Sequence, residues 1–111
     1  MTENTNGAEQ NTFLFTHLVA MLEALALQQL GKLVNPISGD AERDLRQARI
    51  TIDMLDMIRG KTAGNLSSDE KRLLDAILLE LQMNFVDESK REEQDGKSGE
   101  DDVRKETDAR E

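Results

Sequence analysis

The chain has 111 residues, a net charge of −9 and no cysteine. This length supports one domain, and the lack of cysteine excludes disulfides, thiolate metal sites and cysteine nucleophiles. The negative charge disfavours contact with phosphate backbones, so we expect no nucleic-acid partner. No basic residue precedes the first apolar run, which disfavours a signal peptide, and charges interrupt that run, which disfavours a membrane span. We expect a cytoplasmic protein that does not bind membranes.

The two ends of the chain lack a periodic apolar pattern. Residues 1–11 predict a flexible N-terminal arm, and residues 12–87 predict the folded domain. Residues 88–111 predict a disordered, charged tail, because their one sizeable apolar side chain, Val103, buries too little surface to offset the ordering entropy. A helical start of this segment, continuing the last helix, is the alternative.

The first of three helical patterns covers residues 13–33, with Asn11 or Thr12 as its N-cap. Nearly its whole circumference is apolar. The connection NPISG follows, in which Pro36 and Gly39 suit a type I turn.

The second helical pattern covers residues 41–62, with Asp40 as its N-cap. Gly64 is the predicted residue that ends it in a left-handed conformation, and Gly60 is the alternative stop. Its inner stripe has a spacing typical of a helix and consists of Ala41, Leu45, Ala48, Ile52 and Leu55.

The third helical pattern begins after a capping box, in which Ser67 and Glu70 cap each other across three residues, and it ends near Asp87. Its apolar stripe consists of Leu74, Ile77, Leu78, Leu81 and Phe85. No segment alternates apolar and polar residues as a half-buried strand does. The fold class is therefore all-α: a helical hairpin plus a third helix, forming a small three-helix domain completed by self-association.

Self-association is expected because the first helix is apolar nearly all round. Fifteen of the 22 residues from 13 to 34 are apolar, and two neighbouring helices cannot cover such a surface. Another copy of the chain is the simplest cover, with a dimer favoured, and a different protein partner is the alternative. The predicted interface consists of Leu14, Leu18, Ala20, Met21, Ala24, Leu25 and Leu27.

Residues with reactive side chains are few. His17 is the only histidine and has no sequence-local partner, so it reads as a surface or interface imidazole. Asp53 and Asp56 share a helix face, but two carboxylates make a poor site for a hard cation, and the flanking Arg49 and Arg59 indicate a salt-bridged surface. We predict no catalytic residue, no metal site and no cofactor.

Two functions compete on this basis. The first is a homo-oligomeric protein–protein interaction module, an adaptor or scaffold without catalytic activity. The alternative is a helical module that binds a small apolar ligand or lipid, in which methionines line an adaptable cavity; the candidates are Met21, Met54, Met57 and Met83.

The order of these segments resembles a bacterial family of unknown function, DUF1844. The resemblance covers most of residues 13–87 and rests on FLFTHLVAMLEALALQQLGKL, NPISG, LRQARITIDMLDMI, KTAGNL and LELQMNFV. It implies a compact helical domain and transfers no catalytic residue. Gly60 departs from the pattern, since a helix-favouring residue is usual there, and this departure predicts an early end or fraying of the second helix.

Overall fold

The computed structural model describes the backbone of residues 2–99 and the side chains of residues 7–95. Three α-helices follow one another: α1, Thr2–Gln29; α2, Leu45–Lys61; and α3, Ser68–Gly99. Each helix contacts the other two. In the described part of the chain, the only extended pairing is an isolated bridge between Leu30 and Arg43. The predicted all-α, three-helix class is confirmed.

The core forms where one apolar stripe from each helix meets the other two. In α2 and α3 these are the stripes that periodicity predicts, although Ala41 lies outside α2, and Leu45 and Phe85 are only partly buried. Burial of apolar side chains on three converging faces is the main stabilising term of such a bundle. Ten hydrophobic residues, each at most 7% exposed, form this core: Val19, Ala26, Leu30, Ala48, Ile52, Leu55, Leu74, Ile77, Leu78 and Leu81.

The start of α1 corrects the predicted N-terminal arm. The helix begins at Thr2, so the segment 1–11 is helical over most of its length. The segment has no proline, and Ala8, Glu9 and Gln10 all favour helix. Thr12 lies inside α1 and is not its N-cap; its hydroxyl helps to lower the pKa of Glu70 at the start of α3.

The end of α1 lies four residues before the predicted one, because Gly31 takes a left-handed conformation with φ of 80°. The Lys32 amide donates to the Leu27 carbonyl at 2.7 Å, and the Gly31 amide donates to the Gln28 carbonyl at 3.0 Å. These paired bonds form a Schellman motif, which satisfies the last carbonyls of the helix. The prediction extended the helix past Gly31 because it relied on apolar periodicity alone.

The NPISG connection forms a five-residue turn rather than the predicted type I turn. The Gly39 amide donates to the Asn35 carbonyl at 2.7 Å, and the Ile37 amide donates to the Asn35 side-chain oxygen at 2.8 Å. The asparagine side chain thus replaces a backbone acceptor. Ile37 stands at the tip of the turn and is 96% exposed.

The predicted start of α2 is also wrong, because Asp44 and not Asp40 is its N-cap. The Asp44 carboxylate accepts a bond from the Gln47 amide at 3.2 Å. The Asp44 amide donates to the Gln29 carbonyl at 2.7 Å, so residues 41–44 still belong to a connection that runs beside the end of α1.

The end of α2 passes through Gly60 and lies at Lys61. Neither the early end nor the alternative stop at Gly60 occurs. Gly64 has the predicted positive φ, 85°, and it lies in a turn closed by a bond of 2.8 Å from the Asn65 amide to the Thr62 carbonyl.

The predicted capping box at the start of α3 is confirmed in both directions. The Glu70 amide donates to the Ser67 hydroxyl at 3.1 Å, and the Ser67 amide donates to the Glu70 carboxylate at 2.8 Å. The bond from the Ser67 amide, aided by the Thr12 hydroxyl, lowers the pKa of Glu70. The local sequence therefore sets where α3 begins.

Glu88 ties the α1–α2 connection to α3. Its carboxylate lies 2.7 Å from Lys32 Nζ and 2.8 Å from Arg43 Nη1, and its side chain is 7% exposed. The bond from Lys32 and then that from Arg43 lower the pKa of Glu88, against the opposing effect of burial. We call Lys32, Arg43 and Glu88 the Glu88 cluster.

Glu88 lies just beyond residue 87, the predicted end of the domain. α3 continues to Gly99, so the alternative of a helical start is realised, and residues 100–111 of the predicted tail lie outside the described residues. Arg43 also approaches Asp95 at 3.2 Å and Glu92 at 3.9 Å. Lys32 and Arg43, which lie outside α3, therefore hold residues 88–95 of that helix, a segment that has almost no apolar surface of its own.

Replacing Ser67 with alanine removes the acceptor for the Glu70 amide. We expect Ser67→Ala to lower the free energy of unfolding by about 0.5–2 kcal/mol, the usual cost of losing an N-cap. Urea denaturation measures it, with Ser68→Ala as the matched control. Equal stability of Ser67→Ala and wild type would show that the stability of α3 does not depend on the capping box.

Replacing Glu88 with glutamine leaves two partly buried cations without their anion. We expect Glu88→Gln to cost about 1.5–3 kcal/mol at neutral pH, the range for hydrogen bonds to charged groups. Glu92→Gln is the control and should cost less than about 0.5 kcal/mol, because exposed pairs contribute little.

The pH dependence of Glu88→Gln follows from the lowered pKa of Glu88. The stabilisation is present above the ordinary value of 4.5 and is lost as the pH falls through the lower pKa of the folded state. The difference in unfolding free energy between wild type and Glu88→Gln should therefore shrink in acid. A constant difference would contradict the ion-pair explanation.

Candidate interaction surface

α1 has two apolar faces, of which only one meets the core. Val19, Ala26 and Leu30 point inward and are fully buried, and Phe15 and Leu22 pack beside them. These five residues recur at helical spacing and form a single inner face. The inner face uses five of the 14 apolar residues between Ala8 and Leu30.

The outer face of α1 carries a second stripe, which we call the α1 stripe: Leu14, Leu18, Met21 and Leu25. Their side chains are 39–56% exposed. The steps between them are four, three and four residues, which is the spacing of a coiled-coil seam. A partner helix can therefore follow this stripe over three turns.

Six of the seven predicted interface residues lie on the exposed side of α1. Ala20 and Ala24 are exposed beside the α1 stripe. Leu27 is the exception, because it packs against the core. Sequence periodicity cannot make this distinction, since Leu27 and Leu25 are equally apolar and lie on the same nearly all-apolar helix.

α2 adds three exposed apolar residues, Ile50, Met54 and Met57, that the predicted interface did not include. The Thr51 hydroxyl donates to the Gln29 side chain at 2.7 Å, which places these helix faces beside each other. Leu25 lies one turn before Gln29, and Met54 lies about one turn after Thr51, so the two exposed surfaces flank this contact. In the sequence, the spacing of these three α2 residues by four and then three positions already indicates that they share one helix face.

The outer face of α1 carries no formal charge at neutral pH when His17 is neutral. Between residues 10 and 29 the only acidic residue is Glu23, and no Lys or Arg is present. His17 is exposed and stacks on Phe13, with ring centroids 6.0 Å apart. This agrees with the predicted surface imidazole. A second α1 could approach this face without opposing a like charge.

Glu23 is partly buried on α1, and its carboxyl group is influenced by that of Glu80 on α3. Partial burial, then the bond and the charge of Glu80, raise the pKa of Glu23. Among the described residues, neither carboxylate forms a salt bridge. This acidic pair has no sequence signal, because its members lie on different helices.

α3 carries a third exposed stripe, which we call the α3 stripe: Ala76, Leu79, Met83 and Val86. Its three large side chains are 53–64% exposed. The stripe lies on the side of α3 opposite to the buried Leu74, Leu78 and Leu81. The sequence named Met83 only as a candidate for lining a ligand cavity, because the wide apolar surface of α3 does not show which side is outermost.

The remaining candidate groups form ordinary surface contacts. Asp53 pairs with Arg49 at 3.4 Å, and Asp56 pairs with Arg59 at 2.7 Å, so the predicted salt-bridged face is confirmed. Within the described residues, no three metal-binding side chains come together. None of the helices described combines the length and hydropathy that crossing a membrane requires.

Most of the chain matches the model of a known family. Residues 12–88 match the family model described as "Domain of unknown function (DUF1844)". The chain belongs to the DUF1844 family. The search of curated proteins and the search of solved structures returned no match for it.

The DUF1844 match ends at Glu88, one residue beyond the predicted domain end. It therefore includes every member of the Glu88 cluster, all of α2, and the α1 and α3 stripes. The family region is thus a complete three-helix body together with the ion pairs that close it.

Glu23→Gln tests the acidic pair of the DUF1844 domain. A raised folded-state pKa means that the contribution of Glu23 is fully present below its ordinary value of 4.5 and is lost as pH rises through the folded-state value. We expect the variant to match wild type in acid and to be more stable at neutral pH by about 0.5 kcal/mol, the size of like-charge effects on helix surfaces.

Urea denaturation at both pH values measures this gain, and Glu9→Gln on the exposed part of α1 is the control. A destabilised Glu23→Gln at neutral pH would show that the carboxylate has a stabilising partner instead of a repulsive one.

Proposed function

We propose that this DUF1844 domain is a protein–protein interaction module, an adaptor or scaffold without catalytic activity, whose copies associate through the α1 stripe. A cytoplasmic dimer is the favoured form. The observation that carries the proposal is the α1 stripe itself, four large apolar side chains at coiled-coil spacing that α2 and α3 leave exposed.

The free energy of exposure favours association. Apolar surface left in water costs about 25 cal/mol per Å², so the exposed parts of four large side chains amount to several kcal/mol in a dimer that covers both copies. A small domain has little stability to spare. Covering the α1 stripe therefore stabilises both the assembly and each protomer.

The geometry and charge of α1 suit a second copy. Knobs spaced by four and three residues fit the holes of an identical helix, and Ala20 and Ala24 at the edge allow the backbones to approach closely. The face has no Lys, Arg, Asp or Glu among its exposed residues, so a symmetric pairing opposes no like charges.

The apolar-ligand alternative has less support. It required methionines to line a cavity, but Met21, Met54, Met57 and Met83 are all exposed and lie on three different helices. A ligand would have to lie on the open surface, whereas small-molecule sites are usually concave and bury most of the ligand. The same surface suits a helix better, because a helix covers a stripe along its length.

Leu18→Asp tests the assembly by placing a charge in the middle of the α1 stripe. We expect wild type to have about twice the chain mass of 12.5 kDa by light scattering, and Leu18→Asp to be monomeric at the same concentrations with its helix content retained. Burial of an unpaired charge costs far more than a dimer contact contributes. Ala24→Glu should act in the same direction.

The matched control is Ile37→Asp, which replaces an equally apolar but fully exposed residue at the tip of the NPISG turn. It should leave the mass unchanged. A wild type that stays monomeric at every concentration, or a Leu18→Asp variant that keeps the dimer mass, would rule out association through α1.

A further inference from the structure

The α3 stripe is a second apolar surface, and its electrostatic setting differs from that of the α1 stripe. Ala76, Leu79, Met83 and Val86 follow one another in steps of three, four and three residues. Two adjoining depressions lie along the stripe, and Met83 and Asp87 line both. The surface is therefore shaped to receive the side chains of a helix laid along it.

Negative charge borders this stripe. Between Arg72 and Lys90, α3 contains four acidic residues and no basic residue. Of these, Glu88 is buried in the Glu88 cluster, and Lys90 lines the far end of the second depression. Glu80 and Asp87 are seven residues apart, so they lie on the same edge of the stripe, two turns from each other. Asp75 lies on the other edge.

Among the residues that the structure describes, the Glu80 carboxylate forms no salt bridge. Asp75 pairs with Lys71 at 2.8 Å, and Asp87 pairs with Arg91 at 3.4 Å, whereas the neighbour of Glu80 is the Glu23 carboxyl. Two carboxyl groups in contact repel each other when both are ionised. A cation placed beside Glu80 would remove this repulsion and gain the attraction of both groups.

We propose that the α3 stripe is the docking site for a partner protein helix that has an apolar face flanked by lysine or arginine. The apolar face of the partner covers Leu79, Met83 and Val86, and its basic residues lie along the edge formed by Glu80 and Asp87. Charge complementarity of this kind sets partner choice between helices.

A second copy of this chain fits the α3 stripe poorly. Two copies that packed through α3 would bring the edges containing Glu80 and Asp87 close to each other or to Asp75 of the other copy. Like charges facing each other at an interface are unfavourable. The inference is independent of the proposed association through α1, because the two stripes lie on different helices.

The probe is a synthetic amphipathic peptide of about three heptads with leucine at positions a and d and lysine at e and g. A matched peptide has glutamate in place of each lysine. Fluorescence anisotropy of the labelled peptides with the full chain measures binding. We expect the lysine peptide to bind at least roughly tenfold more tightly than the glutamate peptide, a difference of about 1.4 kcal/mol.

Two variants locate the site. The double substitution Leu79→Gln, Met83→Gln removes apolar contact without adding charge, and it should weaken binding of the lysine peptide at least roughly tenfold. Glu80→Lys with Asp87→Lys should reverse the preference between the two peptides. Circular dichroism checks that each variant keeps the helix content of wild type.

Leu18→Asp separates this inference from the proposed function, since it should abolish the dimer and leave binding of the lysine peptide unchanged. No detectable binding of the lysine peptide, equal binding of both peptides, or full binding to the Leu79→Gln, Met83→Gln variant would overturn the inference. A loss of dimer mass in that double variant would also overturn it, because the occupant would then be a second copy.

Discussion

The apolar circumference of α1 is the constraint on which the rest of the structure depends. α2 and α3 together cover one side of it, and Val19, Ala26 and Leu30 are buried there. A third neighbour would be needed to cover the α1 stripe, but the chain has no further helix in its described part. The bundle is closed on its inner side and open on its outer side, and this asymmetry is why we propose an interaction role for the domain.

The two exposed apolar stripes differ in the charges that border them. The α1 stripe has no charged border, whereas the α3 stripe is bordered by Glu80, Asp87 and Asp75. Apolar area determines how strongly a helix face favours a partner, and the bordering charges determine which partner is tolerated. We propose that the neutral α1 stripe accepts its own copy and that the acidic α3 stripe selects a basic partner. On these proposals, one small domain could assemble with itself and hold a different protein at the same time.

The Glu88 cluster explains how so small a body keeps these faces in place. The connection between α1 and α2 has few apolar contacts, with Ile37 fully exposed at its tip. Lys32 and Arg43 lie at the two ends of that connection, and both bind Glu88 on α3. One carboxylate thus holds both ends of the connection against the third helix. Its burial is tolerated because two cations replace the lost water.

The features that the sequence by itself determined depend on residues that lie close together in the chain. The three-helix class, the inner stripes of α2 and α3, the reciprocal cap of Ser67 and Glu70, and the left-handed Gly64 follow from spacing and from local backbone preference. Only the tertiary structure decided which side of α1 faces outward, because a helix apolar on both sides has no preferred inner face until its neighbours are placed. The same holds for Glu88 and for Glu23, whose partners lie on other elements. Glu88 stands in a charged segment and looks solvated until folding brings two distant cations to it, whereas folding brings Glu23 a second carboxyl group.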